Sequence, residues 1–244
     1  IHITERYQML KTLIIIPAYN EEGNIEKVIN NLVENFSQYD YLIVNDGSTD
    51  RTKHICSQKN YHVINLVVNM GIGGAVQTGY RYARENNYDV AVQIDGDGQH
   101  DVSFLQEMLS FIENGDADVV IGSRFVEKEG FQSSAVRRIG INFLSILGKL
   151  LTGVRVRDIT SGYRAVNAKF INIFATDYPA DYPEPEAMVI TAVYGGRIRE
   201  YPVVMKEREF GTSSITFKKA CYYMCKVSLA MIIRRISFGV RRQK

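Results

Sequence analysis

No uncharged apolar run in this chain approaches the roughly 18 residues needed to cross a bilayer, and no signal peptide is visible. A spanning helix and secretion are therefore not expected. Cysteine is scarce. Cys56, Cys221 and Cys225 are too few and too scattered for a disulfide framework, and no Cys/His grouping has zinc spacing, which points to a reducing cytoplasm. Internal repeats, low-complexity tracts and a P-loop lysine-serine pair are also missing. Charge of one sign is not in large excess, since the net charge is +2. Its distribution is lopsided. The stretch 216–244 holds Lys218, Lys219, Lys226, Arg234, Arg235, Arg241, Arg242 and Lys244 without an acid, so the rest sums to about −6.

What is present is enough for one large domain: 244 residues, 45% of them apolar. Residues 1–8, ahead of Met9, read as a tag or extension, 9–215 as the domain and 216–244 as a basic tail. Leu13-Ile14-Ile15-Ile16 has the continuous apolar character of a buried strand, and Pro17 is expected to end it. Ile25, Val28, Ile29, Leu32 and Val33 follow at helical spacing, with Asn20 or a neighbour as cap and Glu21 and Glu22 in the first turn. Strands at 41–44, 61–67, 90–94 and 117–121 alternate with helices ending near Gln58, at 74–85 and at 102–113. That alternation indicates parallel βαβ units and an α/β fold. Further on, 158–165 leads into a short strand, helices follow near 169–174 and 186–194, and 198–205 reads as a further strand.

The chain is organised around Val90-Ala91-Val92-Gln93-Ile94-Asp95-Gly96-Asp97-Gly98-Gln99-His100, where an apolar strand ends in two aspartates separated by one glycine. Both carboxylates then emerge at the carboxyl end of a buried strand, where open α/β sheets bind ligands. Asp95, Asp97 and Gln99 offer hard oxygens suited to Mg2+ or Mn2+, which bridge to phosphate oxygens. A solvated turn with acidic capping residues is the plain alternative. Two other strand ends, at Tyr19 to Glu21 and Asp46 to Asp50, fall on the same edge. Asp46 can accept from the N–H groups of a uracil or guanine ring, and Arg124 and Arg208 can neutralise a leaving diphosphate. Gly71-Ile72-Gly73-Gly74 follows a strand and opens a helix, yet the last glycine of a dinucleotide fingerprint would fall at Val76. Helix packing and backbone approach to a nucleotide, with Gly73 among the contacts, remain its uses.

Six stretches occur in a fixed order: Ile16-Pro17-Ala18-Tyr19-Asn20-Glu21-Glu22, Val44-Asn45-Asp46-Gly47-Ser48-Thr49-Asp50, Asn69-Met70-Gly71-Ile72-Gly73-Gly74-Ala75, Asp95-Gly96-Asp97-Gly98-Gln99-His100, Gly122-Ser123-Arg124 and Asp158-Ile159-Thr160-Ser161-Gly162-Tyr163-Arg164. With them the chain resembles family 2 glycosyltransferases of the GT-A fold, in the branch of dolichyl-phosphate mannosyltransferase and bacterial polyprenyl-phosphate glycosyltransferases. The resemblance runs from about Leu10 to Ile215. It implies a Rossmann-like, mostly parallel sheet flanked by helices, and inverting, metal-dependent transfer of one sugar from a nucleotide-sugar donor. Pro17, Tyr19, Glu21 and Asp46 would hold the nucleotide, with Asp95, Asp97 and Gln99 on metal and diphosphate and Arg124 and Arg208 on phosphates. Asp158 would be a catalytic base or, alternatively, the cap of the turn before a strand. The resemblance has departures. Val102 follows Asp101 where the family often has proline, and Ile72 sits where a basic residue is common. Tyr182-Pro183-Glu184-Pro185-Glu186 looks more like bacterial envelope-polysaccharide relatives. Glu184 and Glu186, with Arg137 and Arg138, are expected at the acceptor.

The acceptor class stays open between a sugar hydroxyl, which needs a base, and a lipid phosphate, which does not. Two helices bear on it. In 133–152, Val136, Ile139, Phe143, Ile146, Leu147 and Leu150 form an apolar stripe beside Arg137, Arg138 and Lys149, suited either to a membrane interface or to the core. In the tail, Ala220, Met224, Val227 and Met231 follow 4-3-4 spacing opposite Lys218, Lys219 and Lys226. A cationic amphipathic helix on an anionic leaflet is expected, against a helix packed on its own domain or a nucleic-acid patch. The expected partners are a nucleotide sugar, a lipid-linked acceptor and an anionic membrane surface, without nucleic acid; a homo-oligomer or a membrane partner protein is left open. The expected location is cytoplasmic, peripheral on the inner face of the cell membrane. Two other classes compete: a nucleotidyltransferase making a nucleotide sugar, whose basic glycine-rich signature is missing, and a non-catalytic nucleotide-sugar binding subunit.

Overall fold

A computed structural model describes residues 10–127, 135–206 and 217–241. Seven strands form one sheet: β1 (Thr12–Ala18), β2 (Asp40–Asn45), β3 (Val63–Asn65), β4 (Val90–Gln93), β5 (Val119–Ser123), β6 (Arg164–Asn167) and β7 (Ile198–Pro202). The order is β3-β2-β1-β4-β6-β5-β7, and only β6 runs antiparallel, against β4 and β5. Helices α1 (Ile25–Asn35), α2 (Thr52–Gln58), α3 (Gly71–Glu85) and α4 (Leu105–Glu113) cross over between the first parallel strands. Then come α5 (Ala135–Thr152), α6 (Ala168–Thr176), α7 (Pro183–Val193) and α8 (Phe217–Arg241). The α/β expectation holds.

Apolar residues alternate between two layers because successive strand side chains point to opposite faces. Leu13, Ile15, Leu42 and Val44 pack with α3, α6 and α7, whereas Ile14, Ile16, Ile43 and Val92 pack with α1 and α4. β1 continues through Pro17 instead of ending there. Beyond Ile15 its β4 partner has stopped, and residues 16–18 pair with β2 alone, so the missing N–H leaves no central ladder incomplete. β3 is shorter than the apolar run suggested: the Leu66 N–H still donates to the Asn45 carbonyl at 2.9 Å, and the chain then bends at Val67 and Val68.

The tail corrects a detail of the sequence reading. Val227 and Met231, expected on the membrane-facing stripe, are buried in the core where α8 packs on α5 and α7. A different stripe of α8, Tyr222, Leu229, Ile233 and Ile236, is exposed at 53–61%. On α5 the inner positions Ile141 and Leu144 are buried, but Ile139, Phe143, Ile146 and Leu150 stay exposed at 52–78%. Two helices in contact thus each show an outward apolar stripe. No helix among the described residues is long and apolar enough to cross a membrane.

Candidate active site

The carboxyl ends of β1 and β2 interlock. Asn20, in a left-handed conformation with φ 57°, accepts the Thr49 N–H at 2.9 Å and donates its own N–H to Ser48 Oγ at 3.0 Å. Glu21 and Glu22 donate backbone N–H to Thr52 Oγ1 at 2.9 Å and Asp50 Oδ2 at 3.1 Å. These acids were expected in the first turn of α1. The helix starts later, at Ile25, and the Glu21 carbonyl accepts the N–H groups of Asn24 and Ile25. Buried Asp46 accepts the Met70 N–H at 2.7 Å, which ties the turn opening α3 to the end of β2. Gly47 must be glycine twice over: its φ is +66°, and a Cβ would lie 2.8 Å from Asn69 N. Pro17 is buried in β1, while Tyr19, Val67, Val68 and Met70 form an exposed apolar rim near these loops.

Asp95 and Asp97 have different surroundings. Asp95 Oδ1 accepts from Gln93 Nε2 at 3.2 Å. The Asp95 N–H donates to His100 Nδ1 at 3.0 Å, which leaves the proton on Nε2, 3.7 Å from Asp95 Oδ2. The His100 ring is stacked on Tyr163 at 5.1 Å. Asp97 is nearly buried, accepts the Gln99 N–H at 3.1 Å, and lines a cavity of about 170 Å3 with Asn24, which precedes α1, and Lys27 and Asn31 of α1. Gln99 donates its side-chain amide to the Lys206 carbonyl at 3.1 Å. The residues fit a divalent ion of the kind that takes one or two carboxylates from the protein and the remainder from phosphate and water. They do not make a closed protein cage: no group of three acidic, histidine or cysteine ligands occurs among the described residues.

Gly162 shows how closely the 158–164 loop covers this point. A Cβ there would lie 2.9 Å from Gln93 Nε2 and 3.1 Å from Asp95 Oδ1. Gly162→Ala is expected to turn the Asp95 carboxylate aside and to lower the sugar transfer that the resemblance implies by about tenfold to a hundredfold, with the melting temperature nearly unchanged. A steady-state assay beside a thermal melt checks it; unaltered transfer means the loop does not set Asp95.

Arg124 and Asp158 form a buried pair. Arg124 Nε donates to Asp158 Oδ2 and Nη2 to Oδ1, both at 2.7 Å, and the Arg124 backbone N–H adds a third bond at 3.1 Å. Asp158 has no exposed surface, and its own N–H donates to Glu200 Oε1 at 2.8 Å. A carboxylate so engaged holds an arginine in place. Arg137 of α5 keeps an exposed surface yet is within electrostatic reach: partial loss of water and the charge of Arg124 pull its pKa down, while Tyr223, Asp158 and Glu184 pull the other way.

Glu184, in the first turn of α7, faces the same region. Burial pushes its carboxyl up, Arg164 opposes this, and the Asp95 charge pushes it further. Glu186 instead meets Arg234 of α8, with contacts of 2.8–2.9 Å, and Arg138 is exposed on α5. Arg208 lies outside the described residues. The structure therefore brings Asp95, Glu184, Arg124, Asp158 and Arg137 to one region, and Asp46, Tyr19 and Gly73 to the neighbouring one. Three participants carried no role in the sequence reading: Gln93, His100 and Arg164. Arg164 is buried and gives three hydrogen bonds, to the carbonyls of Ser161, Glu184 and Ile159 at 2.7–2.9 Å. Its signal was available, as a charged residue opening an apolar strand that pairs Arg164 with Gln93.

The profile described as Glycosyl transferase family 2 matches residues 13–174. An undecaprenyl-phosphate mannosyltransferase of Micrococcus luteus is 32% identical over 216 residues, covering 85% of this chain and 88% of that protein. A UDP-N-acetylglucosamine–dolichyl-phosphate N-acetylglucosaminyltransferase of Methanococcus voltae is 30% identical over 244 residues, covering 90% and 97%. Among solved structures, glucosyl-3-phosphoglycerate synthase of Mycobacterium tuberculosis, in complex with Mn2+, UDP-glucose and phosphoglyceric acid, superposes with a TM-score of 0.72 at 18% identity, over 93% of this chain and 80% of that one. That likeness establishes the GT-A fold. The ordered motifs, the profile and the relatives agree: this chain belongs to glycosyl transferase family 2 and is a glycosyltransferase.

Proposed function

We propose that this enzyme transfers one sugar, with inversion, from a UDP- or GDP-sugar to a polyprenyl phosphate at the cytoplasmic face of the membrane, in cell-envelope glycan synthesis. The observation that carries this reading is the position of Arg137. It sits near the start of α5, within electrostatic reach of Arg124, Asp158 and Glu184, on the helix whose outer side is the exposed stripe Ile139, Phe143, Ile146 and Leu150. A phosphate on a lipid tail suits such a place: the head meets two arginines and the tail meets apolar surface. A phosphate needs no base, which agrees with an Asp158 wholly engaged by Arg124.

In this reading Pro17, Tyr19, Glu21, Asp46 and Gly73 shape the nucleotide side, and Asp95 and Asp97, with Gln99, face metal and diphosphate. Bound Mg2+ or Mn2+ would offset the charge of the departing nucleoside diphosphate. Arg124 stabilises phosphate charge from a fixed position, and Arg137 draws in the acceptor. Glu184 borders the acceptor side, where its carboxyl can take a hydrogen bond from a hydroxyl of the transferred sugar. The names of the two relatives, acting on undecaprenyl phosphate and dolichyl phosphate, support the acceptor class.

The test uses phosphatidylglycerol–phosphatidylcholine vesicles carrying undecaprenyl phosphate, MnCl2, and radiolabelled UDP- and GDP-sugars in turn. Label is expected in the organic-extractable lipid; label appearing only in water-soluble sugar overturns the acceptor assignment. The same vesicles test the surface. Phe143→Glu with Ile146→Glu is expected to weaken sedimentation with vesicles by about tenfold or more, since each places a charge in the apolar stripe. Equal binding by parent and variant would show that α5 does not rest on lipid.

A further inference from the structure

The C-terminal helix reaches the nucleotide side of the site through a strap. Residues 177–182 leave α6 and enter α7, and midway they lie on the turn that opens α3. The Gly73 N–H donates to the Ala180 carbonyl at 3.1 Å, and a Cβ on Gly73 would lie 2.0 Å from Pro179 O and 2.3 Å from Ala180 O. That turn is tied in its own right to Asp46 through Met70. Backbone thus rests on backbone with no side chain between, and a shift of the strap is a shift of the turn.

The strap is held from the other side by α8. Arg234 spans its two ends, with Nη1 on both carboxylate oxygens of Asp177 at 2.8 and 3.0 Å and Nε on Glu186 Oε1 at 2.9 Å. Lys226 pairs with Asp181, and the ring of Tyr182 stands edge-on to Tyr223 at 4.6 Å. Tyr182 is at φ 49° and ψ 58°, a left-handed conformation that a tyrosine keeps only where its surroundings impose it. Tyr178 anchors the first part of the strap on Tyr80 and Phe174. Beyond it, α8 supplies the described side-chain partners of Asp181 and Tyr182.

We propose that Arg234 is a positioning residue for the donor site: by joining Asp177 to Glu186 it braces the strap against Gly73, and so sets the turn on which the nucleotide is received. This rests on the reading of the 67–74 turn as part of that site. The exposed Lys226–Asp181 pair adds little, because a solvated ion pair is weak, whereas a half-buried arginine shared by two carboxylates is not.

The test compares the full chain with Arg234→Ala, Arg234→Lys and, as a destabilising control on the other face of the sheet, Leu109→Ala. Amide exchange in peptides covering 69–76 is measured without ligand, well below every melting temperature. Arg234→Ala is expected to speed exchange there by about tenfold or more, Arg234→Lys to restore much of the protection, and Leu109→Ala to leave it unchanged. In calorimetry with Mn2+ and UDP or GDP, whichever the parent binds, Arg234→Ala is expected to raise Kd by about 5- to 50-fold, within the usual range of coupling between sites. Unchanged exchange at 69–76 in Arg234→Ala, or an equal acceleration in Leu109→Ala, overturns the brace. Failure of the parent to bind either nucleotide would instead remove the donor-site reading, while the exchange measurement still decides whether α8 holds the turn.

Discussion

Asp95→Asn is expected to lower sugar transfer by about a hundredfold to a thousandfold while the protein melts within about two degrees of the parent. The substitution keeps the shape of the side chain and its bond from Gln93, which is at 3.2 Å, and removes the negative charge. Asp95 sits past the end of β4 with its side chain 38% exposed, so folding does not depend on its ionisation. In the proposed mechanism, what depends on it is the hold on a cation and, through that cation, on the diphosphate. Asp97→Ala is expected to abolish transfer too, but it is the less clean test, because Asp97 also accepts the Gln99 N–H. Rates over a Mn2+ titration separate the two effects: a weakened ligand is partly rescued by more metal, a collapsed loop is not. Parental rates in Asp95→Asn at limiting Mn2+ would remove Asp95 as a metal ligand.

Asp158→Ala is expected to cost about 3–5 kcal/mol of stability, because it leaves the Arg124 charge buried without its partner. For a chain of this size that is a fall in melting temperature of about 6–20 °C. The double variant Asp158→Ala with Arg124→Met removes both charges, and about half or more of the lost stability should return. Activity should not return, since the arginine proposed to meet phosphate is gone. A thermal melt of the three proteins beside a transfer assay checks this. A single variant melting within about two degrees of the parent would mean that the pair at 2.7 Å does not hold the loop after β5. An Asp158→Ala protein that melts far lower yet transfers at the parental rate would relieve Asp158 of any part in placing Arg124.

The βαβ order was legible because it rests on local signals: apolar runs for buried strands, 3.6-residue spacing for α1 and α4, and acids collected at strand ends. The loop carrying Asp95 and Asp97 was legible for the same reason. Pro17 misled, since a proline late in a central strand is harmless where one neighbour has already stopped, and that neighbour is 78 residues away in sequence. The stripes of α5 and α8 were visible as periodicity, but which face turns outward was not. Both helices are apolar on more than one side, and Val227 and Met231 lie inward only because α7 and α5 present a surface that receives them.

Sequence alone determined the class of fold and the family, since each is written in short stretches whose residues interact with near neighbours or with the backbone beside them. Tertiary structure alone decided which charges are partners. Asp158 meets Arg124 across 34 residues, Glu186 meets Arg234 across 48, and Arg164 satisfies itself on three carbonyls. An ionised group removed from water takes whichever opposite charge or carbonyl the fold brings within about 3 Å, and that distance is set by packing of the whole chain.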